Sequence, residues 1–292
     1  MSHNTDSLSD RLCAACNYRD HKMVRELIVE QKADPNKESE LGYLPLNICA
    51  DGKDSEGVRL LIELGADINI HDSNGFTPLS CAAFSGDYKS ACLLLNAGAD
   101  VHNPEKDCKH YDYVMAAAVT GGSLETVRAI VEAGGDIEAK DCNNWTPIMY
   151  AVRHNDISMV RLLLELGSDP HAVADANINV VYIAASNGFI DILKIFLDLG
   201  MDIDTRDSNG NTGLLKAASY MDRDTVISLV KLGADPDAKN SAGEGLFDLF
   251  CYTRGQVDTE LKNIISDIRY RRRRLKEEDF GNSGLNTPDF DI

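Results

Sequence analysis

Two groups of cysteine and histidine residues offer ligand atoms for a metal ion. His102, Cys108 and His110 carry the nitrogen and sulfur atoms that zinc prefers, but their spacing matches no common zinc pattern and a fourth ligand is missing. Cys13 and Cys16 form a single Cys-x-x-Cys pair without a second pair to complete a site. A thiol also packs like a small apolar side chain. We therefore predict no metal site and no cofactor.

Two Asp-Ser-Asn-Gly segments, at 72–75 and 207–210, resemble the first half of a calcium-binding loop. Neither is followed by the glutamate that completes such a loop. Aspartate, asparagine and glycine in this order also favour a tight turn. We interpret both segments as turns.

The chain shows no recognisable catalytic arrangement. No Ser-His-Asp, Cys-His or phosphate-loop pattern occurs at a known spacing, and the glycines recur at a regular interval instead of gathering in one loop. We predict that the chain is not an enzyme and has no small-molecule substrate. The positions of its polar residues then depend on the helices and turns that carry them.

A Gly-x-Asp block recurs seven times at an almost fixed interval. Its first residues are Lys32, Gly65, Gly98, Gly134, Gly167, Gly200 and Gly233. The steps between them are 33, 33, 36, 33, 33 and 33 residues. A self-similar unit of this length predicts a stack of repeats rather than one globular core.

A second block keeps the same phase and predicts where helices begin and end. Thr77-Pro78-Leu79 and Thr146-Pro147-Ile148 place a capping hydroxyl before a proline at the first helical position. Leucine runs such as 93–95 supply the apolar stripe of a second helix. The glycine of the Gly-x-Asp block then ends that helix in a left-handed conformation.

These motifs resemble those of the ankyrin repeat family, whose unit is a β-turn and two antiparallel helices with a Thr-Pro-Leu-His-x-Ala signature. The segment 72–83 is the best match. The resemblance implies an all-α ankyrin repeat solenoid of about seven to eight helix-turn-helix repeats with β-hairpin tips. It covers 8–268, between a disordered N-terminus at 1–7 and a basic, then disordered tail at 269–292. The units lie near 8–36, 37–69, 70–102, 103–138, 139–171, 172–204, 205–237 and 238–268.

The signature histidine is replaced in every repeat. Its position holds Asn47, Ser80, Ala116, Met149, Tyr182 and Leu215. We therefore expect the hydrogen bond that this histidine usually makes to be absent or rebuilt. The first and last units also lack the Thr-Pro-Leu block, as capping repeats often do.

The resemblance implies that partners bind the hairpin tips and the exposed face of the first helices. The candidate residues lie just before the Thr-Pro-Leu block or just after the small pair that follows it. They are Tyr43, Phe76, Phe84, Asp112, Trp145, Arg153, His154, Ile178 and Tyr220. Aromatic and arginine side chains dominate binding hot spots, so we predict a groove centred on Trp145. The alternative is that Phe76 and Trp145 complete the packing of the adjacent tip.

The one irregular step adds three residues to the tip near 102–112. Insertions in repeat proteins collect in loops that often form the binding face. Drift in a tolerant loop is the alternative interpretation.

The chain of 292 residues carries a formal charge of −18. Outside 269–292 there are 42 acidic against 23 basic residues, because the tail holds 5 of the 47 acids and 6 of the 29 bases. This acidity predicts repulsion of nucleic acid and of anionic membranes and favours a basic protein partner. Solubility alone is the alternative explanation.

Composition also bears on the compartment. No stretch approaches the roughly 20 apolar residues of a membrane helix, and residues 1–10 do not resemble a secretion signal. Eight scattered cysteines suit a reducing environment. We expect a monomeric cytoplasmic protein, with the nucleus as a further location.

The tail contains a run of basic residues. They are Arg269, Arg271, Arg272, Arg273 and Arg274. Such a run is typical of a nuclear import signal or a basic contact patch. Cations placed at a helix C-terminus, paired with the acidic repeats, are the alternative.

Together these patterns predict a non-catalytic module or adaptor that binds a partner protein on its concave face. Two alternatives remain open. One is a microbial effector that engages host proteins. The other is a regulatory subunit of a nuclear or nucleic-acid-associated complex, in which the basic tail contacts phosphate.

Overall fold

A computed structural model describes residues 7–102, 114–220, 222–251, 259 and 261–270. The described residues form pairs of short helices joined by turns. The first helices of the pairs are α1 (Leu8–Asn17), α3 (Pro45–Asp51), α5 (Pro78–Ser85), α7 (Val114–Gly121), α9 (Pro147–Arg153), α11 (Val180–Ser186) and α13 (Gly213–Ser219). The second helices are α2 (His21–Val29), α4 (Ser55–Glu63), α6 (Tyr88–Asn96), α8 (Leu124–Glu132), α10 (Ile157–Glu165), α12 (Ile190–Asp198) and α14 (Arg223–Leu232). Helix α15 (Leu246–Cys251) follows, and 261–270 is also helical.

The chain divides into two compact units, Met1–Asp175 and Ala176–Ile292, here called the N-terminal and C-terminal units. Within each unit, the first helix of one pair packs against the first helix of the next, and second helices pack against second helices. A 3-10 helix, Asp175–Asn177, lies at the division. The described residues contain no β-strand. They contain two isolated β-bridges, Arg206 with Thr212 and Lys239 with Gly245.

Caps begin and end the helices. The Thr77 hydroxyl accepts a hydrogen bond from the Ser80 amide (3.2 Å), and Pro78 is the first residue of α5. Thr146 has the same position before α9, but its hydroxyl makes no capping hydrogen bond. The glycines of the Gly-x-Asp blocks have positive φ, such as 89° at Gly65 and 95° at Gly167. They end the second helices in the conformation that glycine adopts without strain.

An aspartate carboxylate organises three of the tips between repeats. In the third repeat the Asp72 amide donates to the Phe76 carbonyl (3.0 Å), and Asp72 Oδ1 accepts the amides of Asn74 (2.9 Å) and Phe76 (3.0 Å). Asp141 and Asp207 repeat this pattern at their own tips. The segments 72–75 and 207–210 therefore form turns whose carboxylates are occupied by backbone amides.

Other side chains rebuild the hydrogen bond of the replaced histidine. Asn47 Nδ2 donates to the Phe76 carbonyl (2.8 Å) and to Asp72 Oδ2 (3.2 Å), so α3 is tied to the next tip. The Tyr182 hydroxyl donates to Asp207 Oδ2 (2.9 Å) and likewise ties α11 to the next tip. Burial first, and then this bond to a carboxylate, raise the pKa of Tyr182.

Gly213 opens α13 at the position where other repeats have proline. A Cβ atom there would lie 2.3 Å from the Cβ of Ala185 in α11, far inside van der Waals contact. Gly213→Ala should therefore lower the free energy of unfolding by about 1–2 kcal/mol through overpacking, although alanine is the better helix former. Urea unfolding would measure this. Gly245→Ala is the matched control, because a Cβ at Gly245 meets no atom closer than 3.6 Å. Equal effects of the two substitutions would contradict close packing of α11 and α13.

Candidate functional site

The N-terminal unit contains a groove of about 740 Å³. Helices α1, α3 and α5, together with the tips that precede α3 and α5, form its walls. The predicted partner-binding residues Tyr43, Phe76 and Phe84 all line it. The remaining apolar lining consists of Cys13, Ala14, Leu41, Ile48 and Cys81.

Three apolar side chains of this groove face solvent. Leu41 is 80% exposed, Tyr43 is 51% exposed and Phe84 is 45% exposed. Phe76 is half-buried. The tip that carries Tyr43 is held by the Ser39 amide, which donates to the Tyr43 carbonyl (2.9 Å), and the Cys13 thiol donates to the same carbonyl (3.3 Å). The exposed side chains therefore stand on a fixed backbone.

Leu41 was not among the residues predicted from the sequence. It lies two residues before Tyr43, in a tip whose preceding residues 37–40 are all polar. A single large apolar residue in such a turn is the signal that could have identified it.

The thiols in the groove wall are protonated at neutral pH. Burial raises the pKa of the Cys13 thiol to about 11. Burial, followed by the negative charges of Asp72 and Asp51, raises the pKa of the Cys81 thiol. A protonated thiol is a poor nucleophile. Both cysteines therefore act as apolar wall residues in this groove.

The charged residues that line the groove are all acidic. They are Asp10, Asp51 and Asp72, and the described residues of the lining include no lysine, arginine or histidine. The Asp10 carboxylate accepts the Glu40 amide (2.8 Å) and bonds to Ser7, and the Ser7 side chain is the main cause of its lowered pKa. Asp72 is 7% exposed. The groove is therefore both apolar and negatively charged.

Trp145 belongs to a separate cluster and does not line this groove. Its ring lies 5.6 Å from the ring of Tyr150, and the Arg153 guanidinium lies 5.5 Å from the Trp145 centroid. Asp141 fixes the cluster, because it accepts the Trp145 amide (2.7 Å) and the Tyr150 hydroxyl (2.6 Å). Trp145 is half-buried. It thus takes part in packing as well as presenting a surface.

Arg153 and the neighbouring His154 are exposed at the end of α9. Stacking on an indole ring fixes the direction of a guanidinium, so binding of a partner would restrict this side chain little further. The Trp145 cluster therefore presents a cation, in contrast to the acidic groove.

The C-terminal unit carries two of the predicted residues. Ile178 is half-buried and directly precedes the N-cap of α11, while Tyr220 is 64% exposed at the end of α13. Lys216 Nζ lies 5.1 Å from the Tyr220 ring. A second groove of about 580 Å³ in this unit is lined by Lys216 and several polar residues, among them Asn209, Asn211, Asn240 and Glu244. It is markedly less apolar than the groove of the N-terminal unit.

Several predicted features lie outside the described residues. These are Asp112, the inserted tip beyond His102, the basic residues Arg271, Arg272, Arg273 and Arg274, and the proposed disordered ends other than Ser7, Arg269 and Tyr270. Arg269 is described, and its guanidinium donates to Asp237 Oδ1 (2.6 Å). That cation is already paired with the acidic repeats.

Two other kinds of feature are absent from the described ranges. No group of three or more histidine, cysteine, aspartate or glutamate side chains in the part of the chain that the structure describes is placed to hold a metal ion. None of the helices in those ranges is long and apolar enough to span a lipid bilayer.

Known proteins share this architecture. The crystal structure of the ankyrin repeat domain of Bcl-3, described as a unique member of the IkappaB protein family, matches with a TM-score of 0.58 and 24% identity, covering 70% of this chain and 92% of that one. The human ASB11 ankyrin repeat domain matches with a TM-score of 0.66 and 22% identity, covering 77% and 98%. At these identities the likeness concerns the fold. Comparison with curated proteins gives no match.

The sequence itself matches a family model, described as ankyrin repeats in three copies, over residues 12–105, 102–174 and 168–240. These ranges cover more than half of the chain and follow the helix pairs described above. The predicted all-α ankyrin repeat fold is confirmed, and the chain belongs to the ankyrin repeat family.

Proposed function

We propose that this chain is a non-catalytic adaptor that binds a segment of a partner protein on its concave face, with the groove of the N-terminal unit as the main contact. Ankyrin repeats are generally protein–protein interaction modules. The observation that carries the proposal is the exposure of Leu41, Tyr43 and Phe84 around one groove. Large apolar side chains that are exposed together around one groove are typical of a surface that binds a partner.

The rigid backbone around the groove favours the binding of a protein segment. Hydrogen bonds within the tip and capping of α5 fix the backbone that carries Tyr43 and Phe84. Binding would therefore reduce the conformational entropy of the partner, while the conformational entropy of the groove would change little. The energy of binding is expected to come from a few buried anchors, since aromatic side chains dominate such contacts.

Site-specific photo-crosslinking in cells tests this function. A benzoyl-phenylalanine placed at Leu41 should capture one or a few proteins directly, because this side chain is 80% exposed at the groove. The matched control places the same group at Tyr88, which is 45% exposed at the start of α6 and does not line the groove.

Adding Tyr43→Ala and Phe84→Ala to the Leu41 probe should lower the crosslinked yield at least about tenfold, because each is expected to contribute on the order of 1 kcal/mol or more. Circular dichroism would verify that each variant is folded. If the Leu41 and Tyr88 probes capture the same proteins in the same yield, the groove is not the binding site and the proposal fails.

A further inference from the structure

The described charged residues that line the groove of the N-terminal unit are acidic, and one of them, Asp51, takes no part in the packing. Asp51 is exposed at the last residue of α3, and among the described residues it has no ion pair or side-chain hydrogen bond. A carboxylate at the C-terminal end of a helix also faces the negative end of the helix dipole, which is an unfavourable position. Asp51 thus adds negative charge to the groove without stabilising its own helix.

Asp72 adds a second negative charge at the floor of the groove. Asp72 is 7% exposed, and its oxygens accept hydrogen bonds from the neutral groups of Asn47, Asn74 and Phe76. No described cation forms an ion pair with it. Both Asp72 and Asp51 lie close enough to Cys81, itself a wall residue, to oppose ionisation of that thiol. Both carboxylates therefore act on the same part of the groove wall.

Two cations lie near the groove, and within the described residues neither forms an ion pair with Asp51. Lys37 acts on Asp10, at the other side of the groove, and is one of the causes that lower the Asp10 pKa. Arg19 reaches the groove at Gly52, where its guanidinium donates to the Gly52 carbonyl (2.5 Å) and keeps its positive charge. The three carboxylates that line the groove outnumber this cation.

We infer that the groove binds an extended protein segment in which one large apolar side chain is flanked by lysine or arginine. The apolar side chain would lie among Leu41, Tyr43 and Phe84, and a basic neighbour would pair with Asp51 above the buried charge of Asp72. Complementary charge of this kind selects partners and speeds their encounter. The inference rests on the proposed function and adds the chemistry of the partner.

Fluorescence polarisation with three synthetic peptide pools tests this chemistry on the full chain. Each pool has leucine or phenylalanine at its centre and otherwise random sequence, and the flanking positions are lysine or arginine in the first pool, serine or glutamine in the second, and aspartate or glutamate in the third. We expect the basic pool to bind most tightly, with a strong dependence on salt.

Charge reversal provides the specific control. Asp51→Lys should weaken binding of the basic pool by about tenfold or more and improve binding of the acidic pool, since like charges in contact oppose association. Asp198→Lys changes the net charge equally and also replaces the last residue of a helix, but it lies on α12 in the C-terminal unit. It should leave both affinities nearly unchanged.

The outcomes separate the two proposals. Equal affinity for all pools, no detectable binding of the basic pool, or equal effects of Asp51→Lys and Asp198→Lys would overturn the inferred chemistry while leaving groove binding to the crosslinking test. Binding of the basic pool that survives alanine at Leu41, Tyr43 and Phe84 would place the peptide contact outside the groove and would also overturn the inferred chemistry.

Discussion

Phe196→Ala should lower the free energy of unfolding by about 3–5 kcal/mol, the range expected for removing a large aromatic side chain from a closed core. Phe196 is 0% exposed and is the largest of the fully buried side chains in the described residues. It lies on α12, which packs against α11 and α14. Neither neighbour can close the resulting cavity without shifting the stack. Urea unfolding followed by circular dichroism would measure the loss.

Two variants make that measurement specific. Phe196→Leu keeps most of the buried volume and should recover more than half of the loss. Leu199→Ala removes a side chain that is 52% exposed at the C-terminal end of the same helix, so it should change stability by no more than about 0.5 kcal/mol. A loss for Phe196→Ala as small as that for Leu199→Ala would show that α12 is not packed as described.

The helices could be predicted from the sequence because residues that begin and end a helix recur at the same positions of the repeat. Proline can begin a helix at Pro78 and Pro147, and glycine can end one at Gly65 with a positive φ. Such constraints are local, so seven blocks separated by six nearly equal steps reveal them. They fixed the fold class, and the family match agrees with it.

The side-chain contacts of the tips could not be predicted in the same way. The sequence showed that the signature histidine is missing, but not that Asn47 and Tyr182 would each reach the following tip. In the fifth repeat the buried Met149 makes no such bond, and the adjacent Tyr150 hydroxyl bonds to Asp141 of its own tip. These solutions depend on the direction and length of individual side chains.

Part of the candidate site could be predicted from the sequence. The position before the first helix identified Tyr43 and Phe76, which line the groove, and Trp145, which does not. Leu41 was missed because it lies two residues before Tyr43, outside the one position before the first helix that was considered. The assignment of partner binding to any of these residues remains a prediction, since exposure and charge suggest a contact without identifying what makes it.

Asp207→Asn should lower the free energy of unfolding by about 2–3 kcal/mol at neutral pH, because Oδ2 no longer accepts hydrogen bonds and the bonds that remain at Oδ1 are no longer charge-assisted. Asp207 Oδ1 accepts the amides of Asn209 (2.9 Å) and Asn211 (2.8 Å), and Oδ2 accepts the Tyr182 hydroxyl (2.9 Å). Asparagine cannot accept at both atoms. Asp202→Asn, at an exposed aspartate that accepts one amide, should lower stability by only about 0.5–1 kcal/mol.

The pH dependence of this difference follows from the direction of the pKa shift. Burial alone would raise the pKa of Asp207, but hydrogen bonds from Asn211, Tyr182 and Asn209 outweigh it, so the pKa is lowered on folding. The stabilisation by this carboxylate is therefore fully present above its unfolded pKa of about 4 and is lost as the pH falls through the lower folded value. The stability gap between wild type and Asp207→Asn, measured by urea unfolding, should accordingly be constant from pH 7 to about 5 and shrink below about 4. A gap that widens on acidification would mean that Asp207 is held in its neutral form, and the hydrogen-bond pattern of this tip would have to be revised.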